Sequence, residues 1–150
     1  MPNDLFIGEL AMRTGRSVHA IRWYESQGLL PGVARDGGRR RLYNERHVGW
    51  LELMERLRST GMSIAQLREY TRLAKEGSAT LAQRRALLAA HRARVEANIA
   101  KWTEALQLID VKIDFYGEWL EKGERPAVPP LQRLRRTRTP RNAAVDSTPL

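Results

Sequence analysis

From residue 81 onward the chain repeats an apolar residue at every seventh position: Leu81, Leu88, Val95, Trp102, Ile109 and Tyr116. A second row, Ile99, Leu106, Ile113 and Leu120, follows four residues after each of the last four. No proline interrupts residues 81–120. This spacing predicts one long helix with a coiled-coil seam. At ~1.5 Å rise per residue that helix is about 60 Å long. The seam is weak at its start, where Arg85 and Arg92 occupy the second row. A stripe of this length needs cover. In a chain of 150 residues nothing else is large enough to supply it, so the stripe predicts a second copy. The dimerisation residues are then Leu88, Val95, Ile99, Trp102, Leu106, Ile109 and Ile113.

Before the repeat, the pattern is one of short, well-punctuated helices. Ile7, Leu10 and Ala11 recur at helical spacing and Gly15 stops them. Ser17 can cap a second helix with Val18 and Ile21 on its apolar stripe and Gly28 as its stop. Two short helices joined by a tight glycine-containing turn read as helix-turn-helix. Residues 30–43 hold Pro31, Gly32, Gly37 and Gly38, then Arg39, Arg40 and Arg41, which predicts a small basic hairpin, a wing. Asn44 caps a third helix with Val48, Leu51, Met54 and Leu57 on one face. Ser63 caps a fourth with Ile64, Leu67 and Ala74 inward, closed by Gly77. The expected division is 1–77 as a winged helix-turn-helix domain, 78–122 as the dimerisation helix and 123–150 as a disordered basic tail, the last because it holds five prolines and no periodicity.

The charge supports a polyanionic partner. Against a net charge of +9, residues 13–43 carry seven arginines and two acids, a local net of +5. Residues 121–150 carry one lysine and six arginines against three acids, a net of +4, while 44–76 and 81–120 each stand at +1. Arginine in preference to lysine suits bidentate contacts with phosphate and guanine.

Several classes are disfavoured. There are no cysteines, hence no disulfides, thiolate metal sites or iron–sulfur clusters. His19, His47 and His91 lack partners at metal-ligand spacing, so no metal site and no cofactor is expected. No apolar run approaches the roughly 18 residues of a membrane span, and no signal peptide opens the chain, which makes a cytoplasmic location the expectation. No nucleophile–base pair, phosphate loop or carboxylate dyad stands out, so no catalytic residue is assigned.

These residues resemble the MerR family of bacterial transcription regulators. The resemblance lies in Phe6-Ile7-Gly8-Glu9-Leu10-Ala11, Thr14-Gly15, Ile21-Arg22-Trp23-Tyr24-Glu25 and Gly28-Leu29-Leu30. It continues in Arg35, Arg41-Leu42-Tyr43, and Leu57-Arg58 with Gly61-Met62-Ser63, so that it covers residues 5–76. Two positions depart from the family pattern: Trp23 replaces the first tyrosine of a pair, and Arg39-Arg40 replaces a glycine–aromatic pair in the wing. The resemblance implies a mainly α fold in which a winged helix-turn-helix domain precedes a long helix that pairs as an antiparallel coiled coil. It implies a homodimer on a double-stranded promoter palindrome that distorts the promoter spacer and so acts indirectly on RNA polymerase.

Candidate DNA-binding residues are Ser17, His19, Arg22, Trp23 and Tyr24 of the second helix, and Arg39, Arg40, Arg41 and Tyr43 of the wing. Arg22 can read guanine or clamp phosphate. Tyr24 is open between packing and a phosphate contact, and Tyr43 between a contact and a hinge. Phe115, Tyr116 and Trp119 are candidates for an organic effector pocket, with the coil seam and its terminal cap as the other reading. Two further functions fit the same residues: a non-sensing architectural DNA-binding protein, and a coiled-coil module that sequesters a small molecule.

Overall fold

A computed structural model describes residues 4–138. The elements in chain order are α1 (Ile7–Thr14), α2 (Val18–Ser26), β1 (Ala34–Arg35), β2 (Arg41–Leu42), α3 (Glu45–Ser59), α4 (Ile64–Lys75), a short 3-10 turn (Gly77–Thr80), α5 (Leu81–Lys122) and α6 (Pro130–Arg138). They fall into two compact units, one running to Val95 and the other starting at Glu96.

The first unit is mainly helical and its helix ends are chemically fixed. Glu9 accepts the Phe6 N–H at 2.8 Å at the start of α1, and Gly15 ends that helix at φ 66°, a left-handed conformation that costs glycine little. Ser17 Oγ accepts from Ala20 N at 3.0 Å, Asn44 Oδ1 from Arg46 N at 3.0 Å and Ser63 Oγ from Gln66 N at 3.2 Å. Each satisfies a backbone donor that the first helical turn leaves open. β1 and β2 pair antiparallel, Ala34 opposite Leu42 and Arg35 opposite Arg41. Leu5 and Tyr43 exchange two backbone hydrogen bonds, 2.7 and 2.9 Å, which ties the start of the chain to the wing's exit.

Leu10, Ile21, Tyr24, Leu29, Leu30, Tyr43, Leu51, Met54, Leu57, Met62, Leu67 and Tyr70 form one buried core. Leu87 and Leu88 of α5 pack on its edge. The first unit therefore continues past residue 77, the boundary expected from the sequence, because the opening turns of α5 belong to its packing. Leu88, expected in the dimer seam, is engaged by this core.

The second unit contains the rest of α5 and α6. No disorder holds over 130–138: the expected tail contains a helix there. Proline is tolerated in the first turn of a helix, which Pro130 occupies. The helix is anchored by Arg133, whose Nε donates to the Val128 carbonyl at 2.9 Å and whose guanidinium meets Glu118 at 2.7 Å. The same guanidinium lies 5.4 Å from the centre of the Phe115 ring. Residues 139–150 of the expected tail lie outside the described residues. No helix among the described residues is long and apolar enough to cross a membrane.

Candidate nucleic-acid interface

Helix α2 turns Ile21 and Tyr24 into the core and leaves Ser17, His19 and Arg22 exposed. Trp23 is half-buried. Its ring lies 5.2 Å edge-on from Tyr24 and carries the Arg58 guanidinium of α3 at 4.4 Å. Ser17 is at once the cap of α2 and a solvent-facing hydroxyl at its first turn. That end of the helix also concentrates the positive end of its dipole, which favours a phosphate.

The wing is shaped by one aspartate. Asp36 Oδ1 accepts the backbone N–H groups of Gly38 and Arg40 at 2.9 and 2.8 Å, and Oδ2 accepts Arg40 Nε at 2.9 Å. The Arg40 N–H foremost holds the Asp36 carboxyl below its ordinary range. Arg39 closes the turn with a φ of 62°, a left-handed conformation that a residue with a Cβ adopts at a cost of about 1–2 kcal/mol. Arg40 also lies over Phe6, 4.8 Å from its ring centre. Glu25 of α2 joins wing and helix: it accepts Arg41 Nε at 2.7 Å and the Tyr43 hydroxyl at 3.4 Å. The bond from Arg41 to Glu25 raises the Arg41 guanidinium above its ordinary range.

Between α2 and the wing opens a cleft of about 400 Å³ lined by Phe6, Ile7, Arg22, Arg39, Arg40 and Arg41. Arg40 and Arg41 are paired with Asp36 and Glu25; Arg22 and Arg39 have no acidic partner among the described residues. Four guanidiniums from two elements thus converge, with two charges uncompensated. Such a surface is suited to the DNA backbone.

Residues 6–73 match the family of MerR HTH regulatory proteins, and residues 48–110 match the MerR DNA-binding family. An HTH-type transcriptional regulator of Haemophilus influenzae is 30% identical over 118 residues, which cover 79% of this chain and 87% of that protein. The chain belongs to the MerR family. Among solved structures, HiNmlR, a MerR family regulator lacking the sensor domain and bound to promoter DNA, is 29% identical with a TM-score of 0.72, covering 83% of this chain and 99% of that one. A MerR family regulator of Bacillus thuringiensis is 30% identical with a TM-score of 0.66, covering 74% of this chain and 97% of that one. The protein is a MerR-family transcriptional regulator with a winged helix-turn-helix.

Within this MerR-family frame the structure separates the residues singled out from sequence. Ser17, His19, Arg22, Arg39 and Arg40 are exposed. Tyr24, at 6% exposed, packs in the core. Tyr43, at 1%, is also buried: burial pushes its phenol up, and its hydroxyl donates to Glu25. Phe6, which lines the cleft, and Arg58, which sits on Trp23, are not singled out by sequence spacing. Arg58 shares its helix with many charges, and nothing in the pattern marks it as the one that meets Trp23.

The long helix fits a coiled coil. Ile99, Trp102, Leu106, Ile109 and Ile113 are between 51% and 71% exposed, and Val95 is half-buried. The aromatic trio divides. Phe115 is 2% exposed, with Tyr116 and Trp119 edge-on at 5.8 and 6.1 Å and Arg133 across its face. As an effector contact Phe115 is thus covered by α6, whereas Tyr116 and Trp119 remain open to solvent.

Proposed function

We propose that the protein binds a palindromic promoter site as a homodimer. Each copy places α2 and its wing on one half-site, and the exposed stripe of α5 forms the seam between copies. Ser17, His19 and Arg22 face the bases and phosphates of the groove. Trp23 acts as the platform that aims Arg58, and Arg39 and Arg40 take phosphates beside it. Arg41, Tyr24 and Tyr43 hold the wing against α2. In this reading residues 1–77 supply the DNA contacts, 78–122 the dimer, and transcription changes because the spacer between the half-sites is bent and untwisted. RNA polymerase then meets a different promoter geometry. Deforming the duplex costs several kcal/mol, which many phosphate contacts offset. The protein works in the cytoplasm, where that DNA is.

The observation that supports this most is the cleft in which Arg22 of the recognition helix and Arg39, Arg40 and Arg41 of the wing converge. Its test is footprinting on promoter DNA around the protein's own gene. Protection should be symmetric about a dyad, with distorted, chemically reactive base pairs at its centre. One-sided protection, or an undistorted centre, would overturn the dimeric and distortion parts respectively.

A further inference from the structure

Away from the arginine cleft, a second cavity of about 520 Å³ opens where the loop after α2, the first turns of α3, the end of α4 and the start of α5 meet. That volume falls among small-molecule sites, which run about 300–1,000 Å³. Its walls combine Pro31, His47 and Trp50 with three cations, Arg46, Lys75 and Arg84, and no carboxylate is among its lining residues. The acids adjacent in sequence are occupied elsewhere: Glu45 by Arg13, at 2.9 Å, and Glu76 by Arg72.

The wall is rigid. Trp50 gives its indole N–H to the Leu29 carbonyl at 2.7 Å and stacks on Tyr70 with ring centres 5.6 Å apart. His47 accepts the Asn44 N–H on Nδ1 at 3.0 Å, and its Nε2 donates to the Pro31 carbonyl at 3.0 Å, so both ring nitrogens are used and the ring is neutral. Arg84 is pinned by a 2.8 Å bond from Nη2 to the Gly77 carbonyl, yet its buried Nε has no acceptor among the described residues. Arg84 is among the cavity's lining residues, so this cation stands beside Lys75 and Arg46 at the same opening.

We propose that this cavity binds a small planar organic anion, an aromatic carboxylate, with its ring against Trp50 and Pro31 and its carboxylate on Lys75 and Arg84. The three cations select charge. The aromatic and proline walls select an apolar plane, which a bare phosphate lacks. The cavity shares no lining residue with the arginine cleft, so ligand binding here stands or falls independently of the DNA reading.

The test titrates 1-naphthoate into the full-length protein by calorimetry, beside 1-naphthalenemethanol and inorganic phosphate. Naphthoate should bind once per chain, and the uncharged alcohol and phosphate about tenfold or more weaker. Lys75→Gln, an exposed change that leaves the fold alone, should weaken naphthoate several-fold. Lys75→Gln with Arg84→Met should weaken it by about tenfold or more. Equal binding of alcohol and naphthoate, no heat with naphthoate at millimolar concentration, or naphthoate affinity untouched by Lys75→Gln overturns the proposal. So does a Lys75→Gln variant that keeps naphthoate but loses salt dependence in DNA binding, because the cations would then serve phosphates.

Discussion

In the unit that ends at Val95, twelve apolar side chains from Leu10 to Tyr70 close on one another, none of them more than 8% exposed. Past Glu96, Ile99, Trp102, Leu106, Ile109 and Ile113 are each more than half exposed, and Phe115 is the one buried side chain among the described residues. The same apolar residue types therefore have two physical meanings. In the first region they stabilise the fold of a single chain. In the second they are available to another surface, and their free energy appears only when that surface arrives. Substitutions in the first region should change stability independently of concentration, and substitutions in the second should change association.

The sharpest way to break this contrast is a charge in the seam. Leu106→Asp should raise the dimer dissociation constant about 100-fold or more, because an unpaired carboxylate is expensive to desolvate. Sedimentation should show monomers, with a melting temperature for the first unit close to the unmodified protein's. A stable monomer of the unmodified protein at micromolar concentration would remove the seam altogether. The counterpart is Leu51→Ala in α3. Leu51 is fully buried, so the truncation should cost about 2–5 kcal/mol in urea unfolding while dimer association is unchanged.

The two regions also differ in how much of their structure is legible in the sequence. In the first, Gly15, Ser17, Asn44, Ser63 and Gly77 punctuate the helices, and each acts through local chemistry: a left-handed residue, or a side-chain oxygen beside an open N–H. Such signals lie within four residues of their effect, so the sequence carries them in plain form. The arginines of α2 and the wing are legible for the same reason. What stays hidden depends on distant partners. Tyr43 is buried among core residues that come from as far along the chain as Leu10 and Tyr70, and Arg58 meets Trp23 across 35 residues of sequence. Leu88 obeys the seven-residue period yet packs on the core, because a period reports which residues share a face and not what the face meets. Helix α6 escapes the sequence pattern because it is short and arginine-rich, and the contacts of Arg133 with Phe115 and Glu118 span 18 and 15 residues.

Within the first region, wing and core can be separated. Arg39→Gly with Arg40→Ala should reduce affinity for all DNA sequences and flatten the dependence of log affinity on log salt by about 0.9 for each phosphate the wing no longer neutralises. Arg39 already has a left-handed backbone, so glycine there relieves conformational strain, while Arg40→Ala removes the exposed Arg40–Asp36 pair and the contact with Phe6; the two effects oppose each other and thermal stability should change by less than about 1 kcal/mol. By contrast, Arg22→Ala should lose discrimination between the promoter and random DNA, by about 1–3 kcal/mol if its guanidinium reads a base. Filter binding across a salt series distinguishes the two. An unchanged salt slope in the double variant would take the wing arginines off the phosphates.

A smaller effect, again confined to the first region, comes from pH. Burial lowers the affinity of His47 and His91 for a proton, and protonating His47 would also cost the acceptor that caps α3. For a histidine depressed in the folded state, the unfolded chain takes up the proton first. The stabilisation is therefore complete above the unfolded value, near 6.5, and is lost as pH falls below it, by at most about 1.4 kcal/mol per pH unit per ring. Urea midpoints measured from pH 7.5 to 5 should fall, and His47→Gln should be less sensitive over that range. A midpoint that rises on acidification would contradict the neutral, doubly hydrogen-bonded ring.

The smallest expected effect tests whether the second region has any fold of its own. Arg133 is the residue through which α6 holds Phe115 and Glu118, so Arg133→Ala should cost about 1 kcal/mol by removing the attraction between guanidinium and ring. Glu118 is held below the ordinary carboxylate range by Lys122 first and Arg133 second. A depressed carboxylate stabilises above its unfolded value and loses that stabilisation as pH falls, so the remaining acid sensitivity of the variant should report Lys122 alone. The consequence for shape should be local. Hydrogen exchange in 129–138 should accelerate, and in the core around Leu51 and Leu67 it should not change. If exchange in the core accelerates equally, the stabilities of the two regions are coupled and the contrast between them fails. If exchange in 129–138 stays slow, α6 is held by residues other than Arg133.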